Sequence, residues 1–136
     1  MTSNFMLDTN AVSKAARGDY PALEERISGH GPGDLYLSAI TEGEILFGLA
    51  KTPEATRKAF LMRMMLSHFS ILPWTSETAT TYGHVRAEMR RRGHALSPLD
   101  MLIAAHALSV GATLVTNDRA FRFVPGLVVE DWSESP

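Results

Sequence analysis

The chain has 136 residues, 45% of them hydrophobic and 21% charged, which suits one globular domain with a real core. It has no cysteine, which excludes disulfides, thiolate zinc sites and cysteine nucleophiles and suits a reducing cytosol. A formal net charge of −2 excludes nucleic-acid binding by bulk charge alone.

The elements follow in chain order. Residues 4–7 read as a short apolar strand closed by Asp8-Thr9-Asn10, with a helix running on to Gly18. Its start lacks the basic and apolar regions of a signal peptide. A second helix covers residues 21–28, and residues 30–34 form a loop with glycines but without a dinucleotide site's context. Residues 35–38 form a second strand, and Thr41 is placed to cap a helix over residues 42–50. Another helix spans residues 52–68, its segment 60–65 rich in Met and assigned to the core, with part of it open to a partner helix or a second subunit. A third strand at residues 71–74 leads into a long helix over residues 76–92, stopped by Gly93.

The next segment organises the chain. Ser97 is a natural N-cap, Pro98 suits the first helical position, and Gly111 fits the left-handed position after the helix end. Residues 112–116 then form a strand closed by Asn117-Asp118, and residues 126–130 a last strand. No apolar run is long enough to span a bilayer. Alternating strands and helices without a repeat or linker predict one α/β sandwich, residues 1–136, with a mostly parallel sheet. Right-handed crossovers bring the strand C-termini to one edge, where sites collect.

Four acids are placed where they could meet on that edge. Asp8 and Asp118 each follow a strand. Glu44 lies one turn into the helix after the second strand, and Asp100 lies in the first turn of the central helix. Asp100 falls mid-arc on an apolar face, between Leu99, Ile103, Ala107 and Val110 on one side and Met101, Ala104 and Leu108 on the other. Two readings stay open for it: a first-turn acid paired with an arginine, or a metal or catalytic acid. Asp8 and Asp118 taken singly also read as turn or cap residues. Four clustered carboxylates cannot all be ionised without cations, and oxygen-only ligands suit Mg²⁺ or Mn²⁺. Such a cage fits metal-assisted phosphodiester hydrolysis. The five histidines show no ligand spacing, and His106 falls on the less apolar side of its helix.

The arginines at 86, 90, 91 and 92 read first as a solvated helix face. The functional alternative is phosphate contact, because Arg86 and Arg90 share a face at i, i+4. Arg119 and Arg122, just past Asp118, are better placed for phosphate contact beside the acids.

Four pieces in order resemble one family: Met6-Leu7-Asp8-Thr9-Asn10; residues 38–44 with Gly48; residues 98–105; and Thr116-Asn117-Asp118. They are similar to PIN-domain ribonucleases, specifically the VapC toxins of toxin–antitoxin modules, and span nearly the whole chain. The resemblance implies a PIN-like three-layer α/β/α sandwich and a Mg²⁺-dependent endoribonuclease, with Mn²⁺ as a substitute. Its target would be a structured RNA: tRNA is favoured, the initiator tRNA anticodon stem-loop in particular, and ribosomal RNA is the other family target.

The resemblance also implies neutralisation by a VapB-type antitoxin, a homodimer, a cytoplasmic location, and promoter DNA contact only through the antitoxin. Asp8, Glu44, Asp100 and Asp118 would form the metal site. Glu44 would bind metal or orient the attacking water, and cleavage would leave 3′-OH and 5′-phosphate ends. Asn10, Ser38 and Thr116 would hydrogen-bond the carboxylates from behind. Two other functions stay open on the residues alone. One is phosphotransfer through Asp8 as nucleophile, although position 10 is Asn where a DxD motif needs an acid. The other is a catalytically silent PIN-fold RNA-binding or scaffold protein, although all four acids remain.

Overall fold

The computed structural model describes residues 4–31 and 33–133; Pro32 of the predicted loop lies outside the described residues. Five parallel strands form one sheet in the order β3-β2-β1-β4-β5. These are β1 Phe5–Leu7, β2 Leu35–Ser38, β3 Ser70–Leu72, β4 Thr113–Val115 and β5 Val129–Glu130. Six helices connect them: α1 Thr9–Arg17, α2 Pro21–Ser28, α3 Ala39–Lys51, α4 Thr56–Leu66, α5 Ser76–Arg91 and α6 Pro98–Val110. A 3₁₀ turn, Arg119–Phe123, follows β4 and was not anticipated from the sequence.

Strand β1 shows why both faces must be covered. All three of its residues are buried, with Phe5 and Leu7 facing one core and Met6 the other. An all-apolar strand of this kind belongs to a parallel sheet with helices on both sides. The first core joins Leu7, Val12, Leu37, Ile45 and Trp132, bringing in α1 to α4. The second joins Met6, Met89, Ile103, Ala104, Leu114 and Phe121, bringing in α5, α6 and the 3₁₀ turn. The three-layer sandwich expected from the sequence is therefore the observed architecture.

Local signals act as read at α6. The Ser97 hydroxyl accepts a hydrogen bond from Asp100 N, Pro98 opens the helix, and Gly111 takes φ +69° at its end. The first two correct an otherwise costly helix start, and the last lets the chain turn directly into β4. Three expectations are corrected. Helix α3 begins at Ala39, capped by Ser38 through Ile40 N, and Thr41 is buried in its first turn. The run beginning at Thr52 becomes helical only from Thr56. In the Met-rich segment only Met62 is buried, while Phe60 is 63% and Met64 54% exposed, so most of it is surface. The arc drawn around Asp100 also shifts, because Leu99 and Val110 are exposed and His106 is fully buried.

Candidate active site

The strand order reverses between β1 and β4. The chain builds outward from β1 to β2 and β3, then returns to β1's other side with β4 and β5. Two crossovers leaving in opposite directions open a crevice at the carboxyl ends of β1 and β4, the usual ligand position in such sheets. Asp8 follows β1 and Thr116 follows β4, and they meet there.

Asp8 is held from two sides. It is the N-cap of α1, one carboxylate oxygen accepting from Ala11 N at 2.8 Å. The other oxygen accepts from the Thr116 hydroxyl. Thr116 in turn accepts from Asp118 N at 3.1 Å, so one hydroxyl links both acids. Asp118 caps the 3₁₀ turn through Ala120 N at 2.9 Å and is exposed. Asp8 is only 4% exposed. Burial pushes its pKa above the ordinary carboxylate value; hydrogen bonds from Thr116 and Ala11 oppose this, and the nearby charges of Asp100 and Asp118 add to it.

The structure thus joins Thr116 to Asp8 and to the Asp118 backbone, and places the Asp100 and Asp118 charges within electrostatic reach of Asp8. Asp100 makes no ion pair among the described residues, so the arginine-paired reading of this acid does not hold. Glu44 joins through a neighbour: Thr9 Oγ1 donates to its carboxylate at 2.7 Å. Thr9 was missed from the sequence. Its signal was a hydroxyl in the residue next to the capping acid, but the partner lies 35 positions away.

Asn10 and Ser38 are not brought in as expected. Asn10 is exposed and makes no side-chain hydrogen bond to a carboxylate among the described residues; Thr9, at the helix's inward side, does so instead. Ser38 is fully buried, and its hydroxyl is used twice elsewhere, as the α3 cap and opposite His106 Nδ1 at 2.7 Å. Burial lowers the His106 pKa below its ordinary value, opposed in part by interaction with the Pro73 backbone. His106 is therefore a neutral core residue bridging α6 to the end of β2.

The arginines divide by their partners. Arg91 and Arg92 bind Glu88 at 2.6 and 2.8 Å. Arg86 donates to the Tyr82 hydroxyl and keeps its charge, and Arg90 has no ion pair among the described residues. Arg119 and Arg122 are exposed on the 3₁₀ turn beside Asp118.

The donor set suits a hard divalent cation, because every candidate ligand is oxygen and the buried Asp8 charge is opposed by two like charges. Among the described residues no three acids stand close enough to bind one ion directly together. That spacing fits a cation that reaches some of its carboxylates through water, as Mg²⁺ commonly does.

The PIN-domain family model matches residues 5–127. The chain is 35% identical over 130 residues to a tRNA(fMet)-specific endonuclease VapC of Shigella flexneri, covering 95% of this chain and 98% of that protein. It superposes on the crystal structure of a DNA-bound VapBC from Salmonella typhimurium with TM-score 0.88 and 32% identity, covering 96% and 99% of the two chains. VapBC2 from Rickettsia felis, solved bound to a promoter DNA fragment, gives TM-score 0.85 at 26% identity over 94% and 98%. A PIN-domain match over residues 5–127 and a relative 35% identical over nearly the full length of both chains make this chain a member of the VapC family of PIN-domain endoribonucleases.

Proposed function

We propose that this protein is a Mg²⁺-dependent ribonuclease toxin whose substrate is a structured RNA, tRNA first and initiator tRNA within that class, so that its action stops translation. The observation that carries the reading is the convergence of Asp8, Asp100 and Asp118, with Asp8 buried and uncompensated by any cationic side chain among the described residues. The relative named for tRNA(fMet) supports the choice of substrate.

A divalent ion bound here supplies charge neutralisation at the scissile phosphate and acidifies the attacking water. Asp8 would hold the ion, its orientation set by Ala11 N and the Thr116 hydroxyl. Asp100, from the first turn of α6, and Asp118, from the loop after β4, would complete the negative cage. Glu44, oriented by Thr9, would position the water or accept its proton. Ends with 3′-OH and 5′-phosphate are expected.

The protein would be restrained in the cytoplasm by a VapB-type antitoxin, would pair as a homodimer, and would reach promoter DNA only through that antitoxin. Solved VapBC complexes on the same fold support this, as do the exposed apolar side chains Leu46, Phe47, Phe60 and Met64 on α3 and α4. No helix among the described residues is long and apolar enough to cross a membrane.

The test is incubation of antitoxin-free protein with total tRNA, then with ribosomal RNA, in Mg²⁺ and in EDTA, beside Asp100→Asn. Discrete Mg²⁺-dependent cuts absent from the variant are expected. Intact RNA of both kinds would leave the silent RNA-binding reading in its place, and cuts that survive in the variant would mean a different site.

A further inference from the structure

The turn that leads into the Asp100 helix and the 3₁₀ turn that Asp118 caps also meet away from the carboxylates. His94, in the turn between α5 and α6, stacks on Phe123, the last residue of the 3₁₀ turn. Their ring centroids are 4.2 Å apart and their planes 18° from parallel. One face of Phe123 is thus occupied, yet the residue remains 53% exposed. A stack that only fastened two loops would be expected to bury its rings. This one leaves an aromatic surface open to solvent, within a few residues of two of the site's acids.

A cleft of about 240 Å³ adjoins His94, bounded by Arg86, Arg90, Pro98 and Met101 among others. It therefore runs from the cationic face of α5 to the N-terminus of α6, the turn that holds Asp100. The arginines that line it, Arg86 and Arg90, are the two that Glu88 does not neutralise. An exposed aromatic ring whose stacking partner His94 lines the same cleft as two guanidinium groups without an ion pair among the described residues is a combination suited to unpaired nucleotides: rings stack on bases, and cations follow the phosphates.

We propose that Phe123, backed by His94, is a stacking platform for one unpaired base of the substrate, and that Arg86 and Arg90 hold phosphates of the adjoining strand. This rests on the ribonuclease reading and adds to it the recognition of a single-stranded element beside the cut. Stacking is tolerant of sequence, so the platform sets the position of the strand and leaves base identity to other contacts.

The test measures binding in the Asp100→Asn background, so that RNA stays uncut. The probes are a short fluorescein-labelled single-stranded oligoribonucleotide of mixed sequence and an abasic oligomer of equal length and charge. Phe123→Ala is expected to raise Kd for the first probe about 5- to 150-fold, the range for loss of one stacked base. It should leave the abasic Kd unchanged. Phe123→Trp should bind the oligoribonucleotide like Phe, and its added indole fluorescence should be quenched by that probe and not by the abasic one. Arg90→Ala should weaken both probes equally and reduce the salt dependence.

A Phe123→Ala protein that unfolds at the same temperature and binds both probes unchanged overturns the inference. So does an equal loss for both probes accompanied by a lower unfolding temperature, which would make the stack a loop fastener. Cleavage of tRNA by the unsubstituted protein is followed in parallel. If RNA is cut while Phe123→Ala binds normally, only the platform fails; if RNA is neither cut nor bound, the ribonuclease reading fails with it.

Discussion

Replacing Asp8 by Asn should make the protein more stable and catalytically dead. The Asp8 carboxylate is buried beside two other acids, and its pKa is raised from its ordinary value of 3.8. A buried acid of this kind destabilises the folded state whenever it must be ionised. Asn keeps the shape and is as good an N-cap, so the bond from Ala11 N survives. The Thr116 hydroxyl can rotate to accept from the new amide. Against this stands the lost attraction between a charged cap and the α1 dipole, about 0.3–1 kcal/mol. Relief of a buried charge exceeds that, and a net gain of about 1 kcal/mol at neutral pH is expected, the scale of charge-optimising substitutions. For a chain of this size the gain is about 3–5 °C in Tm.

The pH dependence has a definite sign. Below 3.8 Asp8 is protonated in both the folded and unfolded states, so the variant gains nothing. As pH rises through the raised folded-state pKa, the wild type loses stability relative to the variant, and the gap then stays constant. Mg²⁺ should reverse the order: at about a hundred times its Kd it adds about 2.7 kcal/mol to the wild type, and little to the variant. The assay is thermal unfolding of both proteins from pH 3 to 8, roughly spanning the titration, with EDTA or Mg²⁺. A variant less stable at neutral pH without metal, or a gap that widens toward acid, would refute the reasoning.

Ser38→Ala should cost about 2–4 kcal/mol in urea unfolding, because it removes a helix cap and leaves Nδ1 of the buried His106 without its hydroxyl partner. Activity per folded molecule should persist, since Ser38 touches no carboxylate; a stable but inactive variant would contradict this. His106 has a lowered folded-state pKa, so its contribution should be present above its ordinary value of 6.5 and lost as pH falls through the lowered value, read as falling urea midpoints. Thr116→Val should reduce kcat about 10- to 100-fold, the usual cost of losing support behind a metal-binding group, and raise the Mg²⁺ requirement in a titration of cleavage rate. Ile103→Ala, in the fully packed centre of α6, should cost about 2–5 kcal/mol by the same unfolding assay.

Much of this protein is determined locally and was therefore legible in the sequence. Alternating apolar strands and helices specify parallel layers. Ser97, Pro98 and Gly111 mark α6 because capping depends on residues within one turn. An acid placed just after a parallel strand lies near the sheet's carboxyl edge, so the places of Asp8 and Asp118 in the fold were legible from their positions, whereas each taken singly still read as a turn or cap residue.

Tertiary structure decided which of these groups touch. Neither the adjacency of β1 and β4 nor the Thr116–Asp8 bond, spanning 108 positions, has any local signature. Nor does the pairing of Ser38 with His106 across 68 positions, which drew the serine away from the acids and buried a histidine on a side of α6 that looked polar. Periodicity gives the direction of a side chain around its own helix; what packs against that side is decided elsewhere in the chain. For the same reason the Met-rich helix α4 looked like core and proved largely surface, and a row of like arginines separated into neutralised and free ones according to where Glu88 reached.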